Sequence, residues 1–283
     1  MRIALAQISA GPEPVDNLDL VASWTARAAD AGADLVLFPE ATMKAFGQSL
    51  RGVAQPLDGP WARGVGAIAD RHHLVVAAGM FTPGGPDPDT GRERVRNTLL
   101  VTGSGLTVGY DKIHLFDAFG FAESRTVAPG RAPVLVRVPT RSGGVVPVGL
   151  SICYDVRFPT LFTALASAGA LVQLVGASWQ DGPGKAEQWE LLCRARALDS
   201  GSWVVGCGQA VPAGATPGES ATAPTGAGGS VVVAPMGGVV ARLGTGEDLL
   251  LADIDPELAV STRRTLPVLA NRVDPLPAVR VVG

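Results

Sequence analysis

The sequence predicts a layered α/β fold built as one large domain. Three observations point there. Short β-rich runs alternate with amphipathic helical stretches along most of the chain. Several apolar strands run straight into charged or reactive residues. Hydrophobic residues make up 47% of the 283 positions against 17% charged, enough apolar material to offset the entropy of ordering a core. At this length a single α/β unit is the default.

The elements follow in order. Arg2 to Ile8 alternates like a strand, and Val15 to Ala31 reads as a helix with Leu18, Val21, Thr25 and Ala28 on one face, closed by Gly32. Asp34 to Phe38 is a buried strand running into Pro39-Glu40. A helix near Trp61 to Arg71 leads to a strand at Leu74 to Ala78; Asn97 to Thr102 and Leu106 to Lys112 form a hairpin across Gly103-Ser104-Gly105. Val134 to Val138 and Val145 to Ile152 are strands, the second ending at Cys153. Pro159 opens a helix to Ala168, Leu171 to Gly176 returns as a strand, and Ala186 to Asp199 is a helix. Trp203 to Cys207, Ser230 to Ala234, Val239 to Leu243 and Leu249 to Ile254 complete the strands. Such an order mixes parallel crossovers with antiparallel pairs under helical cover. Val211 to Gly229 has no periodicity and is a loop, either a surface excursion or a flap over a pocket. The domain is placed at 1–265, with 266–283 as a Pro- and Val-rich tail that could pack on a second subunit.

Composition excludes several function classes. A net charge of −3 and a pI near 5.6 supply no basic field for nucleic acid. No run approaches the roughly 18 apolar residues of a membrane span, and the opening MRIALAQISA lacks a signal-peptide core, so a cytoplasmic protein is expected. There Cys153, Cys193 and Cys207 stay reduced. Without a CxxC or HxxxH pair no zinc site is expected, and no cofactor is implied.

Three polar residues sit at strand ends: Glu40, Lys112 and Cys153. Strand ends of layered α/β folds share a rim where sites form. Cys153 lies between a strand and a helix beginning near Phe158, a setting whose helix N-terminus favours thiolate. A thiol of pKa about 8.5 is only a few per cent ionised at neutral pH, so it needs a base or a cation, which Glu40 and Lys112 can supply. Lys112 is one of three lysines against 20 arginines, consistent with a need for a point charge. Taken singly, each has a structural alternative: a helix-start acid, an edge-strand charge, a small core residue. Cys193 and Cys207 read as core fillers. His114 could in principle pair with Cys153, though nothing around it supports this, and His72 and His73 suit a helix end.

In combination, FPE, DKIHLFD and GLSICYDVRFP resemble the three-part signature of the nitrilase superfamily of carbon–nitrogen hydrolases. MRIALAQIS, QWELLCRARA and LPVLANR extend the resemblance over nearly the whole chain. It implies a four-layer αββα sandwich, commonly a homodimer or larger, without metal or organic cofactor. It further implies a Glu40-Lys112-Cys153 triad, in which Cys153 attacks an amide, Glu40 moves the proton and Lys112 with the Tyr154 N–H holds the oxyanion. Glu123 in FAES matches an added glutamate that would orient Lys112 or water; its alternative is an exposed loop acid.

The sequence CYDVRFP resembles the branch of omega-amidases and deaminated-glutathione amidases, which act on amides of small dicarboxylates. Arg157 maps onto an arginine holding the distal carboxylate, the alternative being a salt bridge with Asp155 or another acid. Trp179 stands where a phenylalanine often lines the pocket, and Thr160, Ser200 and Ala234 also depart from the pattern. The expected function is hydrolysis of a small linear amide to acid and ammonia through a thioester. Nitrile or N-carbamoyl hydrolysis, a partner-binding scaffold and a cysteine redox protein are the rivals, and the last lacks a nearby resolving cysteine.

Overall fold

Strands that are apolar on both faces need cover on both sides. The computed structural model, which describes residues 1–215, 223–273, 275 and 277–281, supplies it with four layers. In chain order the elements are β1 (Arg2–Gln7), α1 (Pro14–Asp30), β2 (Leu35–Leu37), α2 (Pro60–His72), β3 (Val75–Pro86), β4 (Glu93–Gly103), β5 (Leu106–Asp111), β6 (Asp117–Ala118), β7 (Phe121–Ala122), β8 (Leu135–Pro139) and β9 (Val145–Ile152). There follow α3 (Pro159–Ser167), β10 (Val172–Ala177), α4 (Lys185–Ser200), β11 (Trp203–Gly208), β12 (Val231–Val233), β13 (Val239–Arg242), β14 (Asp248–Asp253), α5 (Pro256–Thr265) and α6 (Val268–Asn271).

Two six-stranded sheets run β14-β1-β2-β3-β4-β5 and β13-β12-β11-β10-β9-β8. Each has a parallel centre, β1-β2-β3 in one and β9-β10-β11 in the other, with antiparallel flanks. The alternation of β1 shows how layers arise. Ile3 and Leu5 enter a core shared with Val148, Leu150 and Leu174 of the second sheet, whereas Ala4 and Ala6 face Val21, Trp24, Trp61 and Val65 of α1 and α2. The α1 face expected from periodicity is buried at Val21, Thr25 and Ala28, and Leu18 is only partly covered.

The structure is the expected α/β sandwich and lengthens one hairpin. Strands β3 and β4 pair from Val76↔Thr102 out to Pro86↔Glu93, beyond the anticipated Ala78 and Asn97 ends. Pro83-Gly84-Gly85-Pro86 lies beyond that expected end; a register shift between Pro83 and Gly85 lets the ribbon continue through it. The Gly103-Ser104-Gly105 turn between β4 and β5 has positive φ at all three residues, which two glycines permit. Of the 211–229 loop, residues 216–222 lie outside the described residues, as do 274, 276, 282 and 283 of the 266–283 tail. No helix among the described residues is long and apolar enough to cross a membrane.

Candidate active site

Three strand ends build the site. After β2, Phe38-Pro39-Glu40 crosses β3 at Gly79, where an added Cβ would stand 2.6 Å from the Ala41 nitrogen. Gly79 is therefore required for Glu40 to descend to its place, and Ala41 then turns with φ 59°. Lys112 leaves β5 with its N–H on the Asn97 carbonyl at 2.8 Å, while its own carbonyl accepts from Gly130 N–H at 2.8 Å. Cys153 follows β9 with φ 45°, a left-handed conformation costly for a non-glycine residue and typical of a held functional turn. The helix near Phe158 anticipated from sequence is α3, but a 3-10 turn, Cys153–Arg157, already begins at the cysteine itself.

The three ends meet in one buried network. Glu40 Oε1 accepts from Lys112 Nζ at 3.0 Å and Asn97 Nδ2 at 2.7 Å, and its Oε2 accepts from the Ser178 N–H at 2.8 Å. Glu123 is buried, so the exposed-acid alternative fails. Its carboxylate receives Lys112 Nζ at 3.1 and 2.9 Å, Asn97 Nδ2 at 3.3 Å and the Phe116 N–H at 2.7 Å. Lys112 thus bridges two carboxylates inside the protein, the setting in which ionic hydrogen bonds are strongest. The Cys153 thiol lies against the Ser178 carbonyl at 3.9 Å, close enough to Glu40 to feel its charge.

These surroundings reverse one expectation. Burial, and after it the Glu40 charge, push the Cys153 thiol well above its ordinary value, with Lys112 pulling only partly the other way. Cys153 is half-buried by area, yet protein encloses its sulfur closely enough for burial to dominate. The short turn supplies too little field to hold a standing thiolate. Lys112 shows the opposite balance: burial disfavours its charge, but Glu123 and Glu40 outweigh it and hold the ammonium well above the usual range.

The network floors a cavity of about 600 Å³ of empty space, part of it open to solvent. Its outer wall is aromatic and cationic, with Phe116, Tyr154, Trp179, Arg157 and Lys185. Trp179 is buried, donates from its indole N–H to the Lys185 carbonyl at 2.9 Å, and lies 5.0 Å below the Arg157 guanidinium. Arg157 bonds Gln188 Oε1 at 2.9 Å, and no ion pair with Asp155 forms because that carboxylate is occupied elsewhere. Tyr154 stands edge-on to Phe116 and Phe158, and as the second residue of the 3-10 turn its N–H is among those without a partner inside the turn. Pro224, from the described part of the 211–229 loop, also lines the cavity. Thr160, Ser200 and Ala234 do not line it. His114 pairs with Asp155 at 2.8 Å and stacks on Phe158. Cys193 and Cys207 are fully buried in the core.

Sequence reasoning missed Asn97, the amide shared by both carboxylates, since it reads as an ordinary strand start. It also missed Lys185, whose only sequence signal is its rarity among so many arginines. Gln209, donating to the Glu40 carbonyl at 3.0 Å, gave no signal at all. Among the described residues no group of three or more His, Cys, Asp or Glu is placed to hold a metal ion.

A layered sandwich carrying these residues on its strand ends is matched by a family model described as carbon–nitrogen hydrolase over residues 2–264. The chain belongs to the carbon–nitrogen hydrolase family, within the nitrilase superfamily, and is an amidase-like enzyme of that class. Hydrolase Rv0480c of Mycobacterium tuberculosis is 54% identical over 280 residues, covering 97% of this chain and 96% of that protein. The deaminated glutathione amidase of Escherichia coli O157:H7 is 30% identical, covering 96% and 97%. Among solved structures, a double mutant of the amidase from Nesterenkonia sp. AN1 in complex with acrylamide superposes with a TM-score of 0.75 at 27% identity, covering 96% of this chain and 94% of that one.

Proposed function

We propose that the protein hydrolyses small linear amides bearing a distal carboxylate to the acid and ammonia, through a thioester on Cys153. One observation carries the reading: the Glu40 carboxylate is fixed by Lys112, Asn97 and the Ser178 N–H at the floor of the same cavity that Cys153 lines. Since the resting thiol holds its proton, attack on the carbonyl is coupled to transfer of that proton to Glu40. The carbonyl oxygen becomes an oxyanion held by the Lys112 ammonium and the Tyr154 N–H, a contact of the kind worth roughly 3 kcal/mol. Glu40 passes the proton to the departing nitrogen, the C–N bond breaks, and ammonia leaves a thioester. Water then gives a proton to Glu40 and attacks the thioester; the sulfur leaves and recovers that proton, releasing the acid. Glu123 keeps Lys112 charged and aimed.

Arg157 supplies the carboxylate contact, supported by its place in the cavity wall over Trp179 and by a neutral partner, Gln188, that leaves its charge uncancelled. The Nesterenkonia amidase bound to acrylamide and the relative named for deaminated glutathione agree with a small amide as substrate. The enzyme acts as a homo-oligomer, a reading favoured by the exposed Leu191, Met236 and Val240. Ammonia release should be measured from an amide and nitrile panel that includes alpha-ketoglutaramate and deaminated glutathione. Turnover by the wild type and none by Cys153→Ala is expected; equal rates for the two, or silence across the panel, sink the reading.

A further inference from the structure

The mechanism leaves the buried Asp155 unused. It is fully buried two residues after Cys153, and three donors and the His114 Nδ1 nitrogen converge on its carboxylate. Oδ2 accepts from the Tyr110 hydroxyl at 2.7 Å and the Ile152 N–H at 3.0 Å. Oδ1 accepts from the His114 N–H at 3.0 Å and lies 2.8 Å from His114 Nδ1. The contacts fall on both sides of each reacting residue. Tyr110 and His114 stand two positions before and two after Lys112, and Ile152 and Asp155 bracket Cys153.

These two chain segments belong to different sheets, β5 of the first and β9 of the second. Nothing in the ladder hydrogen bonds of either sheet sets the distance between them. We infer that Asp155 is a positioning residue: a buried carboxylate that ties the strand end carrying Lys112 to the turn carrying Cys153, and so sets the spacing of ammonium and sulfur. The tie also explains how Cys153 is kept at φ 45°, because the Ile152 N–H on one side and the Asp155 side chain on the other close the turn around it.

Three further contacts reinforce the tie. His114 stacks on Phe158 with ring centres 3.7 Å apart, and Phe158 meets Tyr154 edge-on at 5.3 Å. Arg196 of α4 donates to the Val156 carbonyl at 2.7 Å and holds the back of the same turn. Burial, followed by the Asp155 charge, raises the Tyr110 phenol, so it stays a donor throughout the working range.

The inference rests on Cys153 and Lys112 acting as proposed above, and the experiment separates the two. Asp155→Asn, Tyr110→Phe and the double variant Tyr110→Phe/His114→Asn would be compared with wild type for kcat and KM. Each rate is divided by the number of competent sites, counted by stoichiometric alkylation of Cys153. For Asp155→Asn we expect kcat per competent site to fall at least 100-fold with KM within threefold, and for Tyr110→Phe a fall of about tenfold. A merely structural role would lower the number of competent sites and leave kcat per site unchanged; values within threefold of wild type in all three variants overturn the inference. If Asp155→Asn does not fold, the double variant decides on the same criterion. If wild type turns over no amide, the functional reading fails. Asp155 is then judged by the second-order rate of Cys153 alkylation by iodoacetamide, expected to drop at least fivefold per competent site in Asp155→Asn and contradicted by an unchanged rate.

Discussion

The floor and the outer wall of the cavity are built on opposite principles. At the floor, Glu40, Lys112, Glu123 and Asn97 are all nearly sealed from solvent and hydrogen-bond one another, so every charge has a named partner. At the wall, Arg157 and Lys185 remain half-exposed, and their described contacts are neutral: Gln188 and Trp179 for one, the Phe119 ring for the other. Burial, and after it the Arg157 charge, lower the Lys185 ammonium. A closed network suits a reaction common to a family, because no member can move without stranding another. An open cationic wall suits substrate choice, which is the role proposed above for Arg157.

That difference can be broken at either end. The largest effect should come from Lys112→Met, which removes the cation between two buried carboxylates. Loss of about 100- to 1000-fold in kcat is expected from the missing oxyanion contact. A stability loss of about 3–5 kcal/mol should accompany it, read by urea unfolding. Asn97→Ala leaves the cation but strips one donor from each carboxylate, and should cost about 1–3 kcal/mol in stability with a smaller fall in kcat.

At the wall, Arg157→Ala should act on KM rather than kcat. For an amide with a distal carboxylate, a loss of about 1.5–3 kcal/mol, roughly tenfold to 150-fold in kcat/KM, is expected from a charged hydrogen bond. Amides lacking the carboxylate should be unaffected; an equal loss on both would show that Arg157 only shapes the pocket.

A further expected effect, on stability alone, comes from the core thiols. Burial raises Cys193 and Cys207 far above the ordinary thiol range. Well below the unfolded thiol's value of about 8.5 both folded and unfolded chains keep these protons, so their contribution is fully present. Above it the unfolded chain ionises first and stability is lost, by at most about 1.4 kcal/mol per pH unit per thiol. The gap between urea midpoints at pH 8 and pH 10 should narrow when both cysteines are replaced by alanine.

The legible parts of the sequence were those set by local pattern. Apolar runs ending in Glu40, Lys112 and Cys153 placed the site at strand ends, and the order of the three motifs carried the sandwich. What escaped was set by contacts between distant strands. Asn97 bonds two carboxylates that only the closed sandwich brings within reach, and Asp155 looks in sequence like a partner for Arg157, while the fold gives it to Tyr110 and His114. The thiolate expected at Cys153 failed for a similar reason: the burial and the Glu40 charge that hold its proton are products of tertiary packing. The extension of β3 past Ala78 was hidden because a bulge at Pro83 to Gly85, rather than residue type, lets the ribbon continue.

Covalent chemistry at Cys153 is the central claim, and rapid-quench mass spectrometry of the enzyme mixed with a turned-over amide tests it most directly. The expected result is a transient adduct equal to the amide less ammonia on the peptide containing Cys153, absent from Cys153→Ala and released by hydroxylamine. An adduct on another residue, or steady turnover by Cys153→Ala, would contradict it.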